Sequence, residues 1–309
     1  MLGRTGALAV AIGAVAVAGA VTLAVSSDTR ETAAAAGATV LDGPVAGDDA
    51  AEAAQDLDAR LAEQRLVREA LAQEAREVRD AERAERERVA AEEAERIEEE
   101  RVAAEERRQA LVAAQERLTD LGYLIGAVDG EQGQQTTAAL MAFQAVHDLQ
   151  VDGVLGPQTQ SALDGDAVEP TLRSGPATRI EVDLDRQVLH LVEDGTRTVT
   201  FKTSTGGGQE YTRGDGSVGV ARTPVGEFSI IRRIAGERVS SAGLGILYDP
   251  LYFHGGFAIH GSNSVPAGPD SAGCARLARA DAVWLFDRVP DGTPVHLHGG
   301  QHTFVPRGA

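Results

Sequence analysis

From about residue 50 to about residue 118 the chain holds neither glycine nor proline, and Ala, Glu, Arg and Gln dominate it. In a helix interior each glycine costs about 1 kcal/mol relative to alanine and each proline about 3. So long a stretch without either has one regular solution, a single long helix. Opposite charges support it at helical spacing: Asp56/Arg60, Glu82/Arg86 and Glu92/Arg96 are i, i+4 pairs with the acid first, the favourable order. Leu57, Leu61, Leu71 and Val78 begin an apolar seam, but between Arg79 and Arg96 only Val89 and alanines continue it. A coiled coil needs a sustained a/d pattern, so two readings stand: a solvated spacer helix, or a weak helix-mediated dimer. About 60 helical residues at 1.5 Å rise reach roughly 90 Å, enough to hold a domain away from an anchor.

What precedes the helix reads as that anchor, or as a leader. In residues 1–30, Arg4 is the only early charge, and residues 5–25 are an Ala/Val/Gly/Leu run with small residues at Ala24-Val25-Ser26 that suit cleavage. The run also approaches the roughly 20 residues that span a bilayer. A cleaved export signal and a retained membrane anchor both remain open, and both imply export, to the cell wall or periplasmic space. No cysteine lies near the signal to carry a lipid. Residues 31–49, Ala/Gly-rich with Pro44, read as a flexible linker.

The net charge is −18, yet residues 176–309 hold 14 Asp/Glu against 13 Lys/Arg, so the acidic surplus belongs to the N-terminal half. That surplus argues against nucleic acid as a partner. After the helix, residues 115–165 read as helix, loop, helix, loop, short helix. Leu118, Leu121 and Leu124 start an apolar set that Leu140, Phe143 and Val146 continue, and Asp129-Gly130 and Asp152-Gly153 are turn signals. Phe143 and Leu140 fit a core better than a ligand contact. Residues 166–178, with Pro170, Gly175 and Pro176, are a linker.

Residues 179–298 are strand-rich. Ile180, Val182 and Leu184 alternate with polar residues, residues 188–192 form a second run, and Asp194-Gly195 is a hairpin turn. Residues 206–222 read as a long loop facing a substrate. Residues 278–289 form the one clear helix, residues 293–297 a closing strand, and residues 299–309 a tail.

Within this segment lies the only cysteine, Cys274, fourteen residues after His260 with a Gly/Pro/Ser-rich loop between them. Such a loop can reverse the chain and set imidazole beside thiol. The imidazole can take the thiol proton, and the ion pair so formed holds a nucleophilic thiolate at neutral pH. Gly273 lets backbone approach a substrate carbonyl, where N–H groups stabilise an oxyanion. A lone Cys and a lone His are read equally well as a buried, inert thiol near an unrelated ring. The remaining histidines have no Cys/Asp/Glu partner at ligand spacing, so neither a metal nor another cofactor is implied. His254 lies close enough before His260 to support the same cleft from behind.

The longer patterns resemble known families. His260-Gly261, the Pro/Gly loop and Ser271-Ala272-Gly273-Cys274-Ala275-Arg276 resemble the signature of the L,D-transpeptidases, the YkuD-type cysteine enzymes that cross-link peptidoglycan. Thr223-Pro224-Val225-Gly226 resembles that family's stretch before a substrate-side strand. The resemblance implies that Cys274 is the acylated nucleophile, His260 the general base and Gly261 the donor of a supporting carbonyl. Ser271, Gly273 and Arg276 match the remaining positions. Ala272 departs: the family usually carries a second histidine there. Leu121-Gly122-Tyr123, Asp129-Gly130, Phe143-Gln144 and Val151-Asp152-Gly153-Val154-Leu155-Gly156-Pro157 resemble the small three-helix peptidoglycan-binding domain. The implied fold is multidomain: a long α-helix, that small domain, and a mostly β L,D-transpeptidase catalytic domain with one clear helix. The implied function is an exported transpeptidase whose partners are peptidoglycan stem peptides and glycan. Two alternatives stay open, an L,D-carboxypeptidase using water as acceptor, and a catalytically weak wall-binding protein.

Overall fold

The computed structural model describes residues 47–300. The expected leader or anchor at residues 1–30, most of the linker after it, and the tail from residue 301 lie outside the described residues. No helix among the described residues is long and apolar enough to cross a membrane.

Helix α1 (Gly47–Asp120) is one uninterrupted element. The seam residues Leu57, Leu61, Leu71 and Val78 are all exposed. Ion pairs one turn apart line its surface, as between Arg60 and Asp56 at 2.7 Å and Arg101 and Glu98 at 2.7 Å. The breaker-free stretch read from the sequence runs to about residue 118, and the helix ends at Asp120. No breaker occurs before Gly122, whose φ of +70° ends the helix. The Gly122 N–H donates to the Thr119 carbonyl (3.0 Å) and the Tyr123 N–H to the Leu118 carbonyl (2.7 Å), the pairing of a Schellman motif. The last turns of α1 are thereby the first helix of the small domain, with Ala114 and Leu118 buried against Leu140 and Phe143.

α2 (Gln134–Val146) and α3 (Pro157–Asp164) complete that domain. Its frame is a twofold repeat built on two buried glutamines. Gln115 Oε1 accepts from the N–H groups of Asp129 (3.0 Å) and Gly130 (2.8 Å), while its Nε2 donates to Asp129 Oδ1, the Glu131 carbonyl and Thr136 Oγ1, each at 3.0 Å. Gln144 does the same one repeat later, with Asp152 (3.0 Å), Gly153 (2.8 Å), the Val154 carbonyl (3.1 Å) and Thr159 (3.0 Å). The stretches Val128-Asp129-Gly130…Gly133…Thr136…Leu140 and Val151-Asp152-Gly153…Gly156…Thr159…Leu163 carry the same residues at the same spacing. Each buried amide thus spends all its hydrogen-bonding capacity on one turn.

The catalytic segment contains β1 (Arg179–Asp183), β2 (Val188–Glu193), β3 (Thr196–Lys202), β4 (Glu210–Thr212), β5 (Val218–Val220), β6 (Gly226–Ser229), β7 (Arg232–Arg233), β8 (Glu237–Val239), β9 (Ile246–His254), β10 (Phe257–Ser262), β11 (Ala275–Ala278), α4 (Arg279–Arg288) and β12 (Pro294–His298). One sheet runs β3-β2-β1-β12-β6 and the other β11-β10-β9-β7, with β8 also on β9; β4 and β5 form a separate hairpin. The expected long loop at residues 206–222 therefore contains a hairpin. Its strands are three residues each and largely exposed, so they carry no apolar alternation to read.

In the first sheet the register sets Ile180 beside Leu191 and Leu189 beside Phe201, an apolar inner face. These side chains meet Leu251, Phe253 and Ile259 of the second sheet and Leu285 of α4 in one core. On the other face Glu181 pairs with His190. Glu181 is fully buried; it accepts from the Arg173 N–H (2.8 Å) and Arg179 Nη2 (2.9 Å) and lies 3.2 Å from His298 Nε2. Burial alone would raise its pKa, but these partners together hold the carboxyl down at about 2.

Small and catalytic segments share packing. Val188 of β2 belongs to the small domain's apolar cluster, and Ile125 packs on the catalytic core. Thr200 N–H donates to the Gly122 carbonyl at 2.8 Å, and Arg197 Nη1 to the Leu121 carbonyl at 3.1 Å. Gln135 Nε2 donates to Asp281 Oδ1 of α4 at 2.9 Å.

Candidate active site

β10 and β11 are parallel neighbours, with Ile259 opposite Ala275 and His260 opposite Arg276. His260 sits within β10 and Cys274 immediately precedes β11, so the register brings the two residues, fourteen apart in sequence, to one place. Both line a cavity of about 720 Å³, together with Ser271, Ala272 and Arg276.

The His260 ring is buried, and its Nδ1 lies 2.9 Å from the Gly261 carbonyl. A carbonyl only accepts, so Nδ1 carries the proton and Nε2 keeps its lone pair for a base's work. Burial pushes the imidazole down to about 4, against the Gly261 bond that favours the charged ring; the nearby Arg276 charge pushes the same way as burial. Burial pushes the Cys274 thiol up, and the Ala258 backbone N–H and the Arg276 charge oppose it only in part. The thiol makes a long 3.9 Å approach to the Gly256 carbonyl and packs beside Leu247, Tyr252 and Ala258, and among the described residues no hydrogen bond joins Sγ to the imidazole. Desolvation disfavours the charged form of each partner, the thiolate and the imidazolium alike.

The cysteine loop is held from several sides. Ser271 Oγ donates to the Cys274 carbonyl (2.6 Å) and accepts from the Gly273 N–H (3.0 Å). The Gly273 amide is therefore spent inside the loop, whereas the Cys274 N–H meets no acceptor among the described residues. Gly273 has φ +134°, and a Cβ there would stand 2.6 Å from Phe257 Cε1 and 2.8 Å from the Arg222 carbonyl oxygen. Thr223 Oγ1 donates to the Gly273 carbonyl at 2.8 Å and accepts from the Gly206 N–H at 2.8 Å. Arg276 lies 3.8 Å from Asp270 Oδ2.

His254 is exposed and does not line the cavity. Its ring centroid lies 5.0 Å from that of Phe228 and 6.1 Å from that of Phe257, so it meets the site only through Phe257.

Sequence reasoning missed the floor beneath the loop. Ser204 Oγ donates to the Gly268 carbonyl (2.8 Å) and accepts from the Asp270 N–H (3.1 Å). Gln187, buried, accepts from the Thr205 N–H at 2.8 Å, and the Ser271 N–H donates to the Thr205 carbonyl at 2.9 Å. Lys202, the only lysine, is fully buried with Nζ donating to the Gln187 (2.9 Å) and Thr203 (2.6 Å) carbonyls; burial lowers its pKa to about 7. The only visible signal was the run of polar residues Lys202-Thr203-Ser204-Thr205 ending a buried strand.

Comparison with known proteins matches residues 177–297 to the YkuD model, the L,D-transpeptidase catalytic domain, and residues 107–163 to the peptidoglycan binding domain model. The crystal structure of an L,D-transpeptidase fragment from Xylanimonas cellulosilytica is 43% identical, with a TM-score of 0.58 over 61% of this chain and 92% of that one. A further 49 residues' worth of likeness, 49% identical, is to the N-acetylmuramoyl-L-alanine amidase CwlM of Mycobacterium tuberculosis. It spans 16% of this chain and only 12% of the amidase. With its catalytic and small domains matched in order, and a relative of this identity covered nearly end to end, the chain belongs to the L,D-transpeptidase family.

Proposed function

We propose that the chain is an exported cysteine transpeptidase that forms peptidoglycan cross-links through a thioester. His260 Nε2 takes the Cys274 proton as sulfur attacks the carbonyl joining an L-centre to the terminal D-alanine of a donor tetrapeptide stem. The Cys274 N–H, free of internal partners, faces the developing oxyanion. The imidazolium returns its proton to the leaving nitrogen, D-alanine departs, and an acyl thioester remains. The amine of an acceptor diamino acid then attacks, His260 accepts its proton, and the thiol is released. Proton and acyl balances both close on this pair alone. The small domain holds the enzyme on glycan and raises the local concentration of stems, and α1 serves as the spacer between anchor and wall.

The observation that carries this reading is the Nδ1 contact of His260 with the Gly261 carbonyl. It leaves Nε2 unprotonated in the cavity that holds the only thiol. Incubation with a carbapenem followed by intact-mass and peptide mass analysis should place one adduct on Cys274, absent from Cys274→Ala. With a disaccharide-tetrapeptide substrate the product should be a cross-linked dimer with loss of D-alanine. Tripeptide without dimer would mean that water is the acceptor, and no adduct with no product would overturn the enzyme reading.

A further inference from the structure

The cavity in front of Cys274 is cationic in a chain that is not. Arg213, Arg232, Arg238 and Arg276 line it, and no aspartate or glutamate does, although the chain has 47 acidic residues against 29 basic ones. Two of the four are engaged by their own neighbourhood. Arg276 faces Asp270 at 3.8 Å, and Arg213 Nη1 donates to Ser217 Oγ and the Val218 carbonyl, both at 3.2 Å. The other two are exposed and, among the described residues, make neither an ion pair nor a hydrogen bond through the side chain. Arg232 lies over the Tyr252 ring at 4.0 Å from its centroid, which orients a guanidinium without neutralising it. Glu237 neighbours Arg238 on β8, but successive strand residues point to opposite faces, and Glu237 is not in the lining.

Their place in the sheet sets their distance from the chemistry. β7 and β8 both pair with β9, which pairs with β10, which pairs with β11. Arg232 is level with Tyr252 and Tyr252 with Ala258, so at about 4.8 Å per strand Arg232 stands roughly 14 Å across the sheet from the start of β11, which Cys274 precedes; Arg238, level with Leu247, lies about 16 Å farther along β9. An extended peptide covers about 3.5 Å per residue, so a stem acylated at Cys274 reaches Arg232 within roughly four residues, and Arg238 lines the same cavity farther along β9. A guanidinium fork matches a carboxylate with two parallel charge-assisted bonds. A carboxamide has no charge and only one acceptor oxygen.

We propose that Arg232 and Arg238 form a carboxylate-recognising subsite that selects stem peptides with free carboxyl groups over the same stems carrying carboxamides. The proposal rests on the reading of stem peptides as donors. Its test is binding, so that catalysis does not enter. Full-length Cys274→Ala is titrated by calorimetry with a synthetic tetrapeptide stem, once with its carboxyl groups free and once with all of them amidated. The free acid should bind about ten-fold or more tighter, with a preference that shrinks as salt is raised. In Cys274→Ala/Arg232→Gln/Arg238→Gln the two forms should bind within about three-fold of each other. Equal affinity of the two forms for Cys274→Ala, or an unchanged preference in the triple variant, overturns the subsite. If the triple variant does not fold, Arg238→Gln alone carries the comparison, since its guanidinium has no partner in the fold to lose. A protein that shows the preference but, with Cys274 restored, yields no product would overturn the transpeptidase reading and leave the subsite standing.

Discussion

At Cys274 and His260 burial works against an ion pair, lowering the imidazole and raising the thiol. The imidazole is held near 4 by burial and by the Arg276 charge, so at neutral pH it is already an acceptor. The thiol, raised by burial, keeps its proton until a substrate arrives. In the proposed reaction, proton transfer then accompanies attack instead of preceding it. This has a measurable consequence. Alkylation of the resting protein by iodoacetamide should rise steadily with pH to beyond about 9, the range of an unactivated thiol, with no plateau between about pH 5 and 8. A plateau there would show a standing thiolate–imidazolium pair. Gly273, with its φ of +134° and no room for a Cβ, lets the cysteine loop pack against Phe257 and the Arg222 carbonyl.

Among the elements, the small domain shows how one residue type can hold two turns. Gln115 and Gln144 each close a Val-Asp-Gly turn and tie it to a threonine at the start of the next helix. Removing such an amide leaves buried N–H groups without acceptors, at about 1–3 kcal/mol each. Gln144→Ala strips the acceptor from the Asp152 and Gly153 amides together and should lower stability by about 2–5 kcal/mol, read from the chemical denaturation midpoint. Cysteine alkylation in the same variant, measured below its unfolding transition, separates loss of the small domain from damage to the catalytic sheet. Gln160→Ala, whose partner Asp164 is one exposed turn away, should stay within about 0.5 kcal/mol of the parent.

At the scale of the molecule, the small domain and the catalytic domain behave as one packed body within residues 83–300, because each buries side chains of the other. Asp281 is the titrating element of that seam. Burial raises its carboxyl to about 7, and the hydrogen bond from Gln135 opposes this without cancelling it. Its pKa is higher folded than unfolded, so the folded state binds the extra proton. Stability from this group is present below about pH 4 and is lost as pH rises toward 7. Asp281→Asn keeps an acceptor for Gln135 and removes the charge. Its thermal midpoint should exceed the parent's at pH 8 and converge with it near pH 4. A difference of the same size at both pH values would show that Asp281 is not buried as a titrating acid.

Local chemistry made much of this protein legible in the sequence, and distance hid the rest. The long helix follows from propensity alone, since a run of good helix formers without glycine or proline between Gly47 and Gly122 leaves the backbone no competing state, and Gly122 marks its end. Asp194-Gly195 forms the β2–β3 turn with φ of 50° and 81°, as that dipeptide demands. Leu140 and Phe143 are fully buried, as their helical spacing required. The His260-Gly261 and Ser271–Arg276 patterns marked the site because their spacing is short and fixed. What lay beyond reach depends on groups far apart in the chain. Ser204 bonds across 64 residues to Gly268, and Gln187 reaches the cysteine loop only through Thr205. The repeat of Val-Asp-Gly turns was written in the sequence, but the glutamines that give it meaning are joined to it by folding. The burial that shifts Cys274 and His260, and the lining of their cavity by arginines, were decided by the tertiary structure alone. Burial sets the cost of a charge, and no residue's burial is a property of its neighbours in sequence.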